Sequence, residues 1–411
     1  MVDSSKSYLD RKNKSRLFII SEFVDCTQNS TGYYWSKIIH GLSERFNDVC
    51  VIAPKSSYHK VEEASDFVTY VLVKDIVYNK KNLITRLFGQ VAQSLFFAKA
   101  IIQNVHRGDV IFSGTNPALL LVLILILKVI KGFKWMLLVH DVFPENLIAA
   151  KVIGKANVWY RPVKYLFDKV YSSADTLIVI GRDMLVLLAK KTKEQNKIEY
   201  VANWVDPKDI VPLSRSSSEL ICKLGVDGKI IFQFFGNLGR LQGIDNLLNA
   251  ILLVKSKKAV FVFIGSGSEE ALILNFIKIN PDRNVTHLSG MPFSRNNVVL
   301  SSCDIAIVSL AEGMNGLGVP SKAYFSLAAD KPLLVVTEKY SELFSLVSEE
   351  ESVGWFCEPS NPEKLASLID DICNDDLFIS QGSRRAVLIK KYGYEYAIEN
   401  YSKLIFELMD C

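Results

Sequence analysis

The sequence has no apolar run long enough to cross a lipid bilayer. The longest, residues 118–127, ends at Lys128 and is about half of the roughly 20 residues that a spanning helix needs. The apolar run that follows the polar amino-terminal stretch, residues 17–20, is too short for a secretory signal peptide. We therefore expect no transmembrane helix and no export signal, and we interpret residues 118–127 as a core or interfacial helix.

Cysteine pairs are also missing. The seven cysteines are scattered, odd in number, and form no Cys-x-x-Cys pair. This argues against a disulfide framework and a zinc site, and it favours a reducing compartment. Internal repeats and low-complexity tracts are absent, and 49% hydrophobic with 22% charged residues is typical of a globular protein with large cores. A length of 411 residues predicts two to three domains.

A third absence concerns the phosphate-binding fingerprint of dehydrogenases. The first predicted strand, residues 16–23, is not followed by Gly-x-Gly-x-x-Gly, and no acidic residue stands at the spacing that would complete that motif. The sequence therefore argues against a nicotinamide-dependent dehydrogenase.

What the sequence does contain is a clear strand–turn–helix unit in its second half. Residues 230–235 form an apolar and aromatic run with a single glutamine, typical of a strand that is buried on both faces. Gly236 and Gly239 bracket a turn, and apolar residues at helical spacing begin at Ile244. Backbone N–H groups beside a helix start attract anions, and Arg240 offers a forked donor suited to phosphate. An ordinary loop with a solvated Arg240 fits the same residues.

Two further glycine-bearing loops follow predicted strands of this half. Gly265-Ser-Gly267 comes after the buried run 259–264, although Gly-x-Gly alone is a weak signal. The loop 312–320 carries three glycines and leads into Ser321 and Lys322 at a helix start. It is a second plausible anion cradle.

Acidic and basic side chains gather where a predicted strand of the first half ends. Residues 135–139 read as a buried strand and run directly into His140, Asp141 and, four residues later, Glu145. Ligands of open α/β sheets bind beyond the carboxyl ends of the strands. We therefore interpret these residues as catalytic candidates, while a structural histidine remains the alternative.

Charge is distributed unevenly along the chain. Residues 1–200 hold 28 Lys and Arg against 18 Asp and Glu, whereas residues 201–411 hold 20 against 26. A basic half indicates a polyanionic partner, such as a membrane surface, nucleic acid or a phosphorylated acceptor; an uneven solvated surface is the simpler explanation. Residues 80–97 mix cations with aromatic and aliphatic residues, which is typical of a membrane-surface helix or of a core helix with basic flanks.

Both halves alternate strands with helices, so we predict an α/β protein of two three-layer halves with a cleft between them. The first half closes near residue 205.

Eight stretches of the sequence run in the order of a known family over nearly the whole chain. They are 109–117, 140–145 (His-Asp-x-x-Pro-Glu), 174–180, 203–206 (Asn-Trp-Val-Asp), 236–243 (Gly-Asn-x-Gly-x-x-Gln-Gly), 263–267, 316–322 (Gly-x-Gly-x-Pro-Ser-Lys) and 331–332. Together they resemble the large retaining glycosyltransferase family 4. That family has the GT-B fold, two Rossmann-like α/β/α domains facing each other across a cleft, and the resemblance favours its surface-polysaccharide branch (O-antigen or capsule).

The resemblance implies an acceptor-binding domain over residues 1–205, a nucleotide-sugar-binding domain over 206–388, and a last helix, 389–411, that crosses back to the first domain. It also implies a role for each matched position. The transferred sugar and the acceptor would meet His140, Asp141 and Glu145. The donor would be bound by Gly32, Gly236, Asn237, Gly239, Arg240, Gln242, Gly265, Gly267, Gly290, Met291, Gly316, Ser321 and Lys322.

Family members need no bound metal, so the resemblance implies no metal ion and no cofactor beyond the nucleotide-sugar co-substrate. The implied activity moves a sugar from a nucleoside diphosphate to a polyprenyl-diphosphate-linked saccharide. The enzyme would be cytoplasmic and attached to the inner leaflet of the membrane, with no nucleic-acid partner.

One departure from the family pattern keeps other functions open. The family places glutamates at two positions that are Leu317 and Phe325 here, the second of which binds the ribose hydroxyls, and a turn glycine where this chain has Asp330. A phenylalanine accepts no hydrogen bond from a hydroxyl, although Glu312 could substitute from the preceding loop. The alternatives are a non-catalytic scaffold of the same fold and a sugar-nucleotide 2-epimerase.

Overall fold

The computed structural model describes residues 15–58, 67–76, 83–154, 156–214, 226, 228–374 and 382–410. The chain divides into two compact units. The first consists of Met1–Val139, Asp168–Ile178 and Ile398–Cys411, and the second of His140–Phe167 and Val179–Ala397.

The first of two sheets has seven strands in the order β3-β2-β1-β4-β5-β6-β7. The pairs β1–β2, β2–β3, β1–β4 and β4–β5 are parallel, and Phe18 lies opposite Cys50 on one side and Ile111 on the other. Its strands are β1 (Leu17–Ile20), β2 (Val49–Pro54), β3 (Val68–Val73), β4 (Val110–Gly114), β5 (Lys134–Val139), β6 (Thr176–Val179) and β7 (Ile198–Tyr200). The helices of this part of the chain are α1 (Ser30–Ser43), α2 (Lys55–Tyr58), α3 (Leu83–Asn104), α4 (Ala118–Lys131), α5 (Glu145–Ala149), α6 (Tyr160–Ser173) and α7 (Arg182–Thr192).

The second sheet has six parallel strands in the order β10-β9-β8-β11-β12-β13. The order reverses between β8 and β11, which is where α/β sheets open a crevice for ligands. Its strands are β8 (Ile230–Phe235), β9 (Ala259–Ile264), β10 (Val285–Leu288), β11 (Ile305–Ser309), β12 (Leu333–Val336) and β13 (Gly354–Cys357). The helices are α8 (Ile244–Leu253), α9 (Glu270–Ile279), α10 (Asn296–Ser301), α11 (Lys322–Ala328), α12 (Glu342–Glu349), α13 (Pro362–Asn374), α14 (Arg384–Lys391) and α15 (Tyr394–Asp410).

The buried run of β8 shows how a polar residue is accommodated in a central strand. Phe232 and Phe234 stack on Phe261 and Phe263 of β9, with ring centroids 5.5 and 6.0 Å apart. The buried amide of Gln233 donates to the carbonyl of Val299 (3.1 Å) and accepts the hydroxyl of Ser302 (2.8 Å). The glutamine therefore ties β8 to α10 and does not interrupt the apolar core.

The sequence predicts a loop through Gly32 and a helix from about Tyr33, but helix α1 begins earlier, at Ser30. Asn29 accepts a hydrogen bond from the N–H of Gly32 (2.9 Å) and caps the helix, so Gly32 lies in its first turn and not in the preceding loop. A Cβ at Gly32 would stand 2.2 Å from the carbonyl oxygen of Asp25. The predicted loop position of Gly32 was therefore wrong, and its contribution to donor binding stays a prediction.

The basic segment 80–97 is only partly within the described residues, because Lys80 and Lys81 lie outside them. The remainder belongs to α3, in which Phe97 is buried whereas Phe88 and Leu95 are exposed. Of the helices within the described ranges, none combines the length and the hydropathy needed to span a bilayer.

The predicted α/β class with two parallel-sheet halves is confirmed. The predicted domain bounds, 1–205, 206–388 and 389–411, stay a prediction.

Candidate functional site

The loops after β8 and β9 pack backbone against backbone. The N–H of Leu238 donates to the carbonyl of Ser266 (2.9 Å). A Cβ at Gly265, whose φ is +150°, would lie 1.8 Å from the carbonyl oxygen of Gly236, and a Cβ at Gly267 would lie 2.2 Å from that of Leu238. The glycines of the weak Gly-x-Gly signal are therefore required by the close approach of two loops.

The turn after β8 presents backbone donors. Among the residues that the structure describes, the N–H groups of Asn237 and Gly239 have no hydrogen-bond acceptor. Arg240 opens a short 3₁₀ turn, Arg240–Gln242, and Gly243, with a φ of +60°, leads into α8. Two unpaired N–H groups at the carboxyl end of a central strand form a nest that suits an anion.

Arg240 stands beside this turn on the surface. Its side chain is more than half exposed, and its Nε lies 3.7 Å from Glu269 Oε1. An exposed pair at that distance contributes little to stability, so the guanidinium can turn to another anion at low cost.

Lys322 brings a cation to the same turn. Its Nζ donates to Gln242 Oε1 (2.8 Å) and lies 3.6 Å from the ring centroid of Phe234, the penultimate residue of β8. A Cβ at Gly236 would be 3.8 Å from this nitrogen. Burial lowers the pKa of Lys322 to about 7, because the charged form loses water. The site thus holds an amine that a nearby anion would convert to the ammonium form.

The glycine loop before Lys322 is held by other parts of the second unit. Asp183 Oδ2 accepts from the N–H of Gly316 (2.9 Å), and the N–H of Val142 donates to the carbonyl of Leu317 (3.0 Å). The buried amide of Asn203 donates to the carbonyl of Val319 (3.1 Å). Backbone groups of Gly316, Leu317 and Val319 are thus hydrogen-bonded to residues outside the loop. The loop that precedes Ser321 and Lys322 therefore has little conformational freedom.

His140 and Asp141 lie against this loop. A Cβ at Gly318 would be 2.9 Å from the carbonyl oxygen of His140 and 3.5 Å from Asp141 Oδ1. Burial lowers the pKa of His140 to about 4 and raises the pKa of Asp141 to about 6. At neutral pH the imidazole is therefore neutral, and the carboxylate is ionised but close to its titration range.

Glu145 begins α5 and forms a tight ion pair. Its two carboxylate oxygens lie 2.7 and 2.8 Å from Nζ of the buried Lys191, and Lys164 approaches to 3.8 Å. A carboxylate held in this way serves the packing of α5 on α7; its predicted role at the acceptor stays a prediction.

Three predicted donor residues have fewer recorded contacts. Gly290 lies beside Gly265, whose Cα would be 3.9 Å from an added Cβ. Met291 is half-buried, and Ser321 is the N-cap residue of α11 without a side-chain capping bond. Gly32 belongs to the first unit. Within the described ranges, no group of three His, Cys, Asp or Glu side chains is placed to hold a metal ion; metal independence stays a prediction.

Phe325 is buried and packs edge-to-face on Phe293, with ring centroids 5.6 Å apart. Asp330 adopts a φ of +60°, the left-handed conformation that favours the family's glycine. Its Oδ1 accepts from the N–H of Arg385 (2.9 Å) and from the hydroxyl of Ser383 (3.1 Å), so the aspartate also caps α14. Glu312 is exposed and accepts from the hydroxyl of Ser360 (3.0 Å).

Sequence reasoning missed Asp183 and Glu342. Asp183 follows the end of β6, a position that could have signalled it, whereas Glu342 follows no strand directly. The carboxylate of Glu342, 1% exposed, accepts from the N–H and guanidinium of Arg182 (2.7–3.1 Å) and from the hydroxyl of Tyr200 (2.8 Å). Glu342 therefore anchors the start of α7, which carries Asp183.

We expect Glu342→Ala to lower the free energy of unfolding by about 2 kcal/mol, because it leaves the part-buried donors of Arg182 and Tyr200 without their acceptor. Urea denaturation measures this change. Glu363→Ala, at an exposed position in the first turn of α13, is the matched control and should stay within about 0.5 kcal/mol of the wild type. Equal losses in the two variants would contradict a structural role for the Glu342 network.

Comparison of the sequence with known proteins identifies related glycosyltransferases. Residues 216–396 match the family described as glycosyl transferases group 1. The chain is 43% identical over 395 residues to the probable glycosyltransferase WbjE of Pseudomonas aeruginosa, covering 96% of this chain and 98% of WbjE. It is 22% identical over 236 residues to WcaI of Escherichia coli K12, a putative colanic acid biosynthesis glycosyl transferase, covering 56% of this chain and 54% of WcaI.

The structure is similar to that of HepE from Anabaena in complex with UDP and glucose, with a TM-score of 0.70, 12% identity, and coverage of 96% of this chain and 100% of HepE. That likeness concerns the fold, and it agrees with the predicted GT-B class. Because the sequence match to WbjE extends over nearly the full length of both chains, the protein belongs to the group 1 family of glycosyltransferases.

Proposed function

We propose that this glycosyltransferase takes a nucleoside diphosphate sugar as donor and retains the configuration of the anomeric carbon. The observation that carries the proposal is the position of Lys322, whose amine contacts Gln242 and Phe234 beside the glycine turn of β8. The UDP and glucose bound to HepE, a protein of the same fold, support a nucleotide-sugar donor.

In the proposed reaction, the bond between the anomeric carbon and the phosphate oxygen breaks, and the acceptor oxygen bonds to the same face of the sugar. Negative charge develops on the departing diphosphate. Lys322, Arg240 and the N–H groups of Asn237 and Gly239 would stabilise that charge electrostatically. The acceptor hydroxyl gives up its proton to the departing phosphate or to the carboxylate of Asp141, whose pKa of about 6 suits a base near neutrality. Neutral His140 would hydrogen-bond the transferred sugar.

We further propose that the acceptor is a lipid-linked saccharide of surface-polysaccharide synthesis and that the enzyme works at the inner face of the cytoplasmic membrane. The name of WcaI, which refers to colanic acid biosynthesis, supports a polysaccharide product. The excess of basic residues in 1–200 supports an anionic partner such as a membrane surface or a diphosphate-linked acceptor.

Binding of the donor is tested by a thermal-shift panel of UDP-, GDP-, dTDP- and CMP-sugars. A ligand that binds only the folded protein raises the melting temperature. We expect one nucleotide class to shift the wild type, and Arg240→Ala to reduce that shift, whereas Lys278→Ala, at an exposed position in α9, should keep it. An unchanged thermal shift in Arg240→Ala would indicate that the donor does not bind at the β8 turn.

A non-catalytic scaffold is the second candidate, favoured by Phe325 at the place of the ribose-binding glutamate. It predicts no thermal shift with any nucleotide sugar at millimolar concentration and no sugar transfer. Incubation with donor alone separates an epimerase, because only an epimerase converts the donor without an acceptor.

Donor binding should depend on pH through Lys322. Its pKa is about 7 in the free protein, and a bound diphosphate would raise that pKa because it favours the ammonium form. Below pH 7 the amine is already charged, so Kd should be flat. Above pH 7 binding must take up a proton, so Kd should rise up to about tenfold per pH unit until the pKa of the complex is reached.

Isothermal titration calorimetry in buffers of different ionisation enthalpy measures this uptake. A nucleotide sugar is the ligand of choice because its phosphates do not titrate near neutrality. Lys322→Met should abolish the rise in Kd above pH 7; an unchanged pH profile in that variant would assign the proton to another group.

A further inference from the structure

Two neighbouring helices of the first unit expose large apolar side chains. On α3, Phe88, Leu95 and Ile102 are 70%, 55% and 54% exposed, and on α4, Val129 and Ile130 are 80% and 71% exposed. The α3 residues are seven apart along the helix and therefore share one face. We call these five residues the α3/α4 face. Single exposed aliphatic residues are common, but an aligned set on two adjacent helices marks an interaction surface.

The inner side of α3 is well packed, although it carries polar residues. Gln93 and Ser94 are buried there, although apolar residues stand on the outer side. The Gln93 amide accepts from the N–H of Ile76 (3.2 Å) and donates to the carbonyl of Lys74 (3.3 Å), so it satisfies the backbone that follows β3. The helix thus buries polar groups for a structural reason and still presents leucine and phenylalanine outward.

The two helices form one continuous surface. α3 packs along α4, and Lys131, at the end of α4, donates to the carbonyls of Ile102 and Val105 at the end of α3. Because these bonds join the carboxyl-terminal ends of the helices, Ile102 and the pair Val129 and Ile130 occupy the same end of the surface.

The charged side chains of α3 and α4 themselves have a single sign. No Asp or Glu occurs between Asp75 and Asp109 or between Asp109 and Asp141. Asp109 itself is buried and accepts hydrogen bonds from Arg16. Lys99 and Arg107 are exposed at the flanks of the helices. Asp175, outside the two helices, pairs with Lys128 of α4 (2.8 Å). An apolar face on helices whose own charged residues are all cations is the composition that binds an anionic bilayer.

We propose that the α3/α4 face docks the protein on a membrane of anionic phospholipid, with the apolar side chains in the headgroup region and the cations on the lipid phosphates. The inference deepens the proposed function, since a lipid-linked acceptor requires the enzyme to reach a bilayer, but it rests on the surface alone. A second copy of the chain is a poorer occupant, because it would bring two basic surfaces together.

The test is co-sedimentation with vesicles of phosphatidylcholine, with and without phosphatidylglycerol. We expect the wild type to bind only the anionic vesicles, more weakly at high salt. Leu95→Ser combined with Val129→Ser should lower the partition coefficient at least about tenfold, because two exposed apolar side chains are lost from the interface. Lys99→Glu combined with Arg107→Glu should remove the salt dependence. Leu274→Ser, at a half-exposed position of α9 in the second unit, is the matched control and should bind as the wild type does.

Unchanged vesicle binding in the Leu95/Val129 variant would overturn the inference. So would a dimer of the wild type in analytical ultracentrifugation that this variant converts to a monomer, because that result assigns the face to a second copy. The donor thermal shift distinguishes membrane docking from the proposed reaction, because the Leu95/Val129 variant should still show that shift. Loss of vesicle binding with an intact donor shift supports the face, whereas a wild type that binds vesicles but no donor contradicts only the proposed reaction.

Discussion

Lys322→Met is expected to lower kcat/KM for sugar transfer by about 10²–10³-fold, which corresponds to roughly 3–4 kcal/mol of lost transition-state stabilisation. The methionine keeps the length and apolar packing of the lysine stem against Phe234 but removes the amine that contacts Gln242. Because charge on the diphosphate increases as the sugar leaves, the loss should fall on kcat more than on KM. Steady-state kinetics with the donor identified by thermal shift measure both.

Two comparisons make this expectation specific. Lys278→Met, on the exposed side of α9, should leave kcat/KM within about twofold of the wild type, since that residue lies in the last turn of a surface helix. Lys322→Arg keeps a cation and should recover part of the rate. A Lys322→Met enzyme with wild-type kinetics would show that another group neutralises the leaving diphosphate.

The sequence was informative where a local pattern has one physical meaning. The apolar run of β8, the glycine turn and the switch to helical period at Ile244 all occur as predicted, because a buried strand, a tight turn and an amphipathic helix each impose their own periodicity. The structure places Lys322 of the Pro-Ser-Lys loop at the β8 turn, 80 residues away in the chain. Its predicted contact with a phosphate stays a prediction.

Contacts between distant residues could not be predicted in this way. The carboxylate of Asp183 accepts a hydrogen bond from the N–H of Gly316, 133 residues away. The position of Asp183 after β6 could have marked it as a candidate, but no local pattern identifies Gly316 as its partner. The start of α1 was missed because the Asn29 cap outweighed the apolar pattern that begins at Tyr33. The lowered pKa of Lys322 depends on burial against Phe234, which only the folded chain shows.

The sequence shows that residue 325 is a phenylalanine, but it does not show how that side chain packs in the fold. The sequence places a phenylalanine where a ribose-binding glutamate is expected, and the structure shows it buried against Phe293. A glutamate in that pocket would bury a charge beside an aromatic ring unless a hydroxyl or cation paired with it. Phe325 is thus part of a local apolar packing. Asp330, in the left-handed conformation that favours a glycine, instead accepts hydrogen bonds at the start of α14.

Gly265→Ala is expected to lower the free energy of unfolding by about 4 kcal/mol, at the upper end of single substitutions. The new Cβ would lie 1.8 Å from the carbonyl oxygen and 2.9 Å from the carbonyl carbon of Gly236, and both are backbone atoms that no side-chain rotation can displace. The φ of +150° adds strain, because side chains rarely adopt it. Relief requires the loops after β8 and β9 to separate, which breaks the bond from Leu238 to Ser266 and opens the donor turn.

Urea denaturation and the donor thermal shift together test this expectation, since stability and donor binding should be lost in one variant. Gly154→Ala is the matched control: a Cβ there meets no atom within 4 Å, and stability should change by less than about 0.5 kcal/mol. A Gly265→Ala protein with wild-type stability and an intact donor shift would mean that the two loops do not touch in solution. Neither the packing of the β8 and β9 loops nor the bound nucleotide would then require a glycine at this position.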